Sequence, residues 1–329
     1  MALPVMSPAP ANTYIETTAP NVKEDLADII YQIDKDETPM VSMLDSVGSE
    51  QVMTEWLVQE LYPAANVPQP EGFTAAMSPA KKPLRLNNIC QILARTVSVS
   101  GTLRVVNQVG EEEYARQLLL RGQELKRDLE LAICSESVKT IADPRALAGF
   151  QTWCTVGSVG AGAGAFPTGD GTNGHTPGTA RDLSITLIED CLQANFNNGE
   201  VPSVALMSAN IKRYFSVLAA TTGAPTTNPI VQQNILMSSS AQPVTMNGAV
   251  DVYRSNFGEL SLIPDRFIPA HVIELVNRNF IELAPLPNRD MIEQEYGKTG
   301  DNTQGGIVWE GTLRVTAPKA QATVWDLNQ

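Results

Sequence analysis

Residues 110–141 read GEEEYARQLLLRGQELKRDLELAICSESVKTI, and this stretch decides the fold. Gly110 is followed by Glu111, Glu112 and Glu113, three acids where carboxylates favour the positive end of a helix dipole. Tyr114, Leu118, Leu125, Leu129 and Ile133 then recur at spacings near 3.6 and mark one apolar face. Arg121, Glu124, Arg127 and Asp128 mix signs on the opposite face, which predicts a solvated side. The spacing predicts one helix that ends before Asp143-Pro144 and runs on the order of 40 Å at 1.5 Å per residue. That exceeds the usual globular helix and suits a spine for the rest of the chain.

Upstream, residues 1–22 hold four prolines and show no sustained period, so they read as an arm that needs another surface to order it. Leu26, Ile29, Ile30 and Ile33 predict a short helix over 23–33, broken at Thr38-Pro39, with one further turn over 40–44. Val52, Thr54, Trp56 and Val58 alternate with polar neighbours, as in a strand, and Ile92, Val97 and Val99 continue an alternation over 89–103. Between them, residues 62–83 are rich in Pro and Ala and read as an exposed loop. Together these predict a long hairpin, which is marginal in water unless it lies on a partner.

Downstream, residues 149–178 are rich in glycine. The run Gly160-Ala161-Gly162-Ala163-Gly164 lacks the GxGxxG spacing and the following helix that a dinucleotide site requires, so a flexible surface loop is expected. Leu183, Leu187, Cys191 and Ala194 predict a helix that Gly199 ends. A buried strand over 201–207 follows, then a helix capped by Ser208. Residues 223–245 are polar and punctuated by proline. Strands are expected over 248–262, over 272–280 and over 307–327, the last divided at Pro318-Lys319. The class is α+β.

The chemistry-bearing residues are sparse. The 329 residues include 23 basic and 36 acidic side chains, a formal net charge of −13, and no basic stripe longer than Lys81-Lys82, so tight nucleic-acid binding is not expected. No run of about 18 apolar residues predicts a membrane span. The four cysteines are too far apart for a CxxC signature and read as buried free thiols. His175 and His271 have no Cys or His partner at ligand spacing, so no metal site is expected, and no GxSxG elbow or P-loop suggests catalysis or a cofactor. The expectation is a non-enzyme, with an enzyme of unfamiliar site as the weaker alternative.

Several segments, in order, resemble a known family. They are Thr13-Tyr14, then Lys23-Glu24-Asp25-Leu26-Ala27-Asp28-Ile29-Ile30-Tyr31, then Thr38-Pro39-Met40. Further on come Asp251-Val252-Tyr253, Asn256-Phe257-Gly258-Glu259-Leu260, Pro264-Asp265-Arg266-Phe267-Ile268-Pro269 and Lys298-Thr299-Gly300-Asp301. The set resembles tailed-bacteriophage major capsid proteins of the SU-ten-like family. The resemblance implies a Hong Kong 97-like fold with an N-terminal arm (1–50), an extended E-loop (51–105), a P-domain with the spine helix and the Gly-rich loop (106–179), an A-domain (180–275) and C-terminal strands returning to the P-domain (276–329).

It also implies a shell protein of the virion, assembled in the host cytoplasm as hexamers and pentamers. Its partners would be a portal protein, a separate scaffolding protein and decoration proteins, and it would enclose DNA without gripping it. The alternative within the same fold is an encapsulin-like cellular compartment. Tyr62, Phe73, Lys81, Lys82, Tyr114 and Arg121 are the candidate intersubunit contacts. Some relatives of this fold join a loop lysine to a neighbour's asparagine, a reaction that needs a desolvated, neutral amine. Lys81 and Lys82 are instead expected to be solvated charges or intersubunit ion pairs. Mature particles boiled in detergent should therefore run as one monomer band; a ladder of covalent multimers would overturn this.

Overall fold

A computed structural model describes residues 37–74, 79–106, 112–221 and 251–328. The expected helix over 23–33, most of the arm and the 223–245 stretch lie outside the described residues. The chain opens with α1 (Pro39–Met43) and β1 (Asp45–Ser46). A ribbon of β2 (Met53–Val58) and β3 (Leu84–Ile89) follows, then β4 (Gln91–Ser100), α2 (Gly101–Val105) and α3 (Glu113–Ile133). After a short 3-10 turn, Phe150–Trp153, come β5 (Val156–Ser158), α4 (Ile185–Asn198), β6 (Val204–Met207) and α5 (Ala209–Thr221). The remainder is β7 (Val252–Arg254), β8 (Glu259–Pro264), β9 (Ile273–Val276), β10 (Ile281–Pro285), β11 (Ile292–Tyr296), β12 (Asn302–Val315) and β13 (Ala322–Val324).

Two sheets carry the body. In the five-stranded sheet, β12 pairs antiparallel with β4, β10 and β11, and β1 adds to β10 in parallel. The six-stranded sheet has the order β5-β13-β9-β6-β8-β7 and mixes parallel and antiparallel pairs. Every residue of β6 and β9 is buried. Their side chains alternate between two cores. Ala205, Met207, Ile273 and Leu275 join Ile188, Leu192, Ile211 and Phe215 of α4 and α5. Val204, Leu206 and Val276 face the opposite way, into a core with Leu125, Leu129 and Ile133 of α3 and with Trp153, Trp309 and Trp325. A strand covered on both faces is expected to be apolar, which is why this segment shows no alternation; β6 is apolar throughout and β9 departs from this at Glu274.

The expected spine is shorter than the sequence suggests. It stops at Ile133, about 31 Å for 21 residues. There Ser135 Oγ donates to the Ala132 carbonyl at 2.8 Å, and Gln151 Nε2 donates to the Cys134 carbonyl at 2.8 Å, so side chains replace the next helical turn. Its polar face is not all solvated either. Asp128 receives two bonds from Arg95 of β4, at 2.6 and 2.8 Å.

The hairpin differs as well. Its return strand is β3, not 89–103, with Trp56 opposite Leu86. The chain turns at Cys90, and β4 leaves to pair with β12. Asn87 and Asn88 hide β3 from an alternation test. Asn88 is buried and satisfied: its Nδ2 donates to the Leu313 carbonyl at 2.7 Å, and its Oδ1 accepts from Ala148 N–H at 2.9 Å. The strand expected over 272–280 ends at Val276 in a short 3-10 turn, and β10 and β11 were not anticipated.

The Gly-rich stretch is built in rather than loose. Residues 150–153 are fully buried, and β5 pairs with β13. Asp326 Oδ2 accepts from Gly160 N–H at 2.8 Å and Gly178 N–H at 2.9 Å, and the His175 ring stacks on Trp325 at 5.3 Å. A side chain at Gly160 would collide with the Thr179 backbone, so glycine here serves close approach rather than freedom. Gly199 ends α4 in the left-handed region at φ 110°, as expected.

Replacing Leu129, a buried α3 residue, by Ala should cost about 2–5 kcal/mol in denaturant unfolding, whereas exposed Lys126→Ala should stay within about 0.5 kcal/mol.

Candidate functional site

Two regions stand out, one on the surface and one in the core. The surface region is the β2–β3 ribbon and the chain linking its strands. Leu57, Leu61, Tyr62, Val67, Phe73 and Leu84 are all exposed there, Leu61 at 90%. A cluster of uncovered apolar side chains this dense marks a surface that meets something. At its base, Glu60 is held between two cations, Lys319 at 2.6 Å and Lys81 at 2.7 Å. Their hydrogen bonds pull the Glu60 carboxyl down to about 2. Since all three side chains remain partly exposed, the clasp orients the ribbon more than it stabilises the fold.

The core region is a set of acids. Glu130 on α3, Asp265 after β8 and Glu274 on β9 are each at most 1% exposed. Glu130 accepts Met40 N–H at 2.6 Å on one oxygen and Val41 N–H at 2.7 Å on the other. Asp265 accepts Phe267 N–H at 2.9 Å and the Cys134 thiol at 3.7 Å. Gln151 Nε2 donates to Glu274 Oε1 at 2.9 Å, while Glu274 Oε2 is buried without a partner. Glu274 shares the strand face of Val272 and Val276, where an apolar residue would be expected.

Burial is the largest influence on Glu130, Glu274 and the Cys134 thiol. It pushes the Glu130 carboxyl up to about 8, and it raises Glu274 and the Cys134 thiol well above their ordinary values. Ligand atoms of Glu130, Cys134 and Asp265 lie within 4.8 Å of one another. Both Glu130 oxygens accept backbone N–H bonds, which favour the ionised carboxylate and oppose the effect of burial, and both Asp265 oxygens are likewise engaged as acceptors, so the arrangement presents no free lone-pair set. It is also sealed from solvent, which leaves no route for a substrate.

Comparison with known proteins gives the context. The sequence model of the SU10 major capsid protein matches residues 10–328. The chain belongs to that family. A curated relative, the major capsid protein of Escherichia phage Phieco32, is 31% identical over 120 residues, 36% of this chain. The aligned stretch spans about a third of that relative's length, 34%. Among solved structures, a capsid chain of cyanophage A-1(L) superposes with a TM-score of 0.65 at 14% identity, covering 94% of this chain and 98% of that one. The capsid of an empty GTA particle gives 0.59 at 14% identity, covering 97% and 100%. The SrpI encapsulin of Synechococcus elongatus gives 0.57 at 12% identity, covering 93% of each chain. At such identities the likeness is one of fold, and it is the Hong Kong 97-like fold that the resemblance implied.

In this capsid-family chain the six expected contact residues fall into two groups. Tyr62, Phe73, Lys81 and Lys82 lie on the ribbon's linking chain. Tyr62 and Phe73 are exposed at 62% and 54%, and Lys82 is exposed. Lys81 is occupied by Glu60 of its own chain. Tyr114 and Arg121 lie on α3 and are half-buried: the Tyr114 hydroxyl donates to Glu293 at 3.3 Å, and Arg121 bonds Glu124 at 2.5 Å. No hydrogen bond or ion pair joins the two groups among the described residues.

Sequence reasoning missed Lys319 and the acids. Glu60 and Lys319 are more than 250 positions apart, and Glu130, Asp265 and Glu274 sit on three elements. The one available signal was Glu274, an acid inside the apolar run 272–276.

Glu274 keeps its proton in the fold where the unfolded chain would have lost it, so stability falls as pH rises above about 4.5. Glu274→Gln carries no proton to lose. Its stability relative to the wild type should therefore increase from pH 5 to pH 8 in parallel denaturant titrations; a difference independent of pH would contradict the assignment.

Proposed function

We propose that this chain is the shell-forming subunit of a tailed-phage capsid, acting as a structural protein rather than an enzyme. The observation that carries the reading is the β2–β3 ribbon and its linking chain, where Leu57, Leu61, Val67 and Leu84 have no cover among the described residues. Family membership along residues 10–328 says what kind of assembly would cover them. Shells need heterologous contacts that close under symmetry, and a thin subunit gains contact area by overlapping its neighbour. The occupant of the ribbon's apolar surface is thus a second copy of the chain.

Residues 1–50 then serve as the arm, 51–105 as the E-loop, 106–179 as the P-domain with spine and Gly-rich stretch, 180–275 as the A-domain, and 276–329 as strands returning to the P-domain. Tyr62, Phe73 and Lys82 make intersubunit contacts through the loop. Lys81, Tyr114 and Arg121 contribute where their internal partners exchange for a neighbour's. The copies form hexamers and pentamers, joined by a portal, with a scaffolding protein and decoration proteins as further partners. Assembly takes place in the host cytoplasm, and the product is the virion shell around double-stranded DNA. The net charge of −13 keeps such a wall from gripping its contents. An encapsulin-like compartment is the second reading, favoured by the fold shared with the SrpI encapsulin.

Electron microscopy of sedimented recombinant protein, co-expressed with candidate scaffolds, tests the proposal. Closed shells, sheets or tubes of hexamers are expected. Deleting residues 64–80 should leave a folded subunit that no longer assembles; normal shells from that deletion would sink the role given to the loop.

A further inference from the structure

The β2–β3 ribbon is fastened to the body very unequally along its length. Its inner half is built in. Trp56 and Leu86, paired across the ribbon, are buried, and the Trp56 ring lies 5.4 Å from that of Trp153. Lys139 adds a second fastening there. Its Nζ donates to the Asn87 backbone carbonyl at 3.1 Å, to Asn87 Oδ1 at 2.8 Å and to the Asp170 carbonyl of the Gly-rich stretch at 2.6 Å. The outer half differs. Val58 still packs in part on the core, but residues 59–74 are exposed without exception. Gln59 Nε2 donates to the Lys81 carbonyl and the Tyr62 hydroxyl to the Pro79 carbonyl, each at 3.2 Å, and these bonds tie the outgoing chain to the returning chain. Among the described residues, one ion pair reaches from this outer half to the body: Glu60 Oε1 with Lys319 Nζ at 2.6 Å. Lys319 stands on the 3-10 turn Pro318–Ala320, fixed by buried Pro318 and Ala320 and by Asn195 Nδ2, which donates to the Lys319 carbonyl at 3.2 Å. Glu60 gives its other oxygen to Lys81 at 2.7 Å, so a ribbon without Lys319 keeps its own internal pair.

We propose that Lys319 is a positioning residue for assembly: its pair with Glu60 presets the direction in which the outer ribbon leaves the body, and the ribbon hinges at Val58 and Leu84 when the pair opens. The magnitudes decide what such a tether can do. The Lys319 and Glu60 side chains are 55% and 44% exposed, and an exposed ion pair biases an equilibrium by about fivefold at most. That makes one direction dominant in a free subunit. It does not withstand the burial of several large side chains, so a neighbour that covers Leu61, Tyr62 and Phe73 can redirect the ribbon as it docks. The tether is thus a bias that contact overrides, and Lys319 acts before contact is made. The same exposure makes it sensitive to salt, because charges are screened beyond about 3 Å at 1 M ionic strength. The consequence for assembly rests on the shell-forming reading; the direction of the ribbon in the free chain does not.

Pulsed electron spin resonance on the full chain, kept dilute enough to stay unassembled, tests this. Spin labels at Val67→Cys on the ribbon and Gln193→Cys on α4, both exposed positions, report the ribbon's direction as a distance distribution, and the four native cysteines are buried. One dominant distance is expected at low salt. Lys319→Ala should cut the dominant population relative to the rest by about twofold to fivefold, and Lys319→Arg should keep it. Salt at about 1 M should move the parent chain toward the Ala variant and leave that variant unchanged. Denaturant midpoints of both Lys319 variants should match the parent's. An unchanged distribution in Lys319→Ala, an equal loss in Lys319→Arg, or a lowered midpoint in Lys319→Ala would overturn the positioning role. These distances are read without assembly, so failure here leaves the shell-forming reading standing.

Discussion

β12 is the strand on which this chain closes. Its 14 residues give partners to β4, β10 and β11, and β4 lies about 200 positions earlier. Trp309, Leu313 and Val315 carry it into the core shared with α3. Asn88 ties the base of the ribbon to the same strand through the Leu313 carbonyl. A few residues on, the chain crosses to the other sheet as β13 and closes the gap between β5 and β9. One late segment thus joins the spine, the ribbon and both sheets. Such pairing is costly in loop entropy.

What could be read from the sequence follows from which constraints are local. The apolar face of α3, the Gly199 stop, the Ser208 cap and the break at Pro318 are set within a few residues, and each appears where the spacing places it. The end of α3 did not, because Gln151 and Ser135 decide it from outside the periodic stretch. β3 was hidden by Asn87 and Asn88: Asn87 Oδ1 accepts from Lys139 Nζ, and Asn88 Nδ2 donates to the Ala148 and Leu313 carbonyls far along the chain. The Gly-rich stretch looked loose because nothing nearby foretells that Asp326 will hold Gly160 and Gly178. The candidate sites divide the same way. Tyr62 and Phe73 were legible as exposed loop residues, whereas the acid cluster exists only once three distant elements meet.

The fold is shared at 12–14% identity with capsid and encapsulin chains, so few of its side chains are individually required. What this chain shares with them is the layout of the fold.

The uncovered ribbon also bears on the subunit before it finds its neighbours. Leu57, Leu61, Val67 and Leu84 in water are an invitation to indiscriminate sticking. Against this acts the net charge of −13, which keeps free copies apart until many weak contacts form together. The balance is between a short-ranged attraction confined to one ribbon and a repulsion spread over the whole surface, screened beyond about 8 Å at physiological salt. Ionic strength and subunit concentration then act together as a nucleation threshold, below which the protein stays dissolved and above which ordered growth outruns clumping.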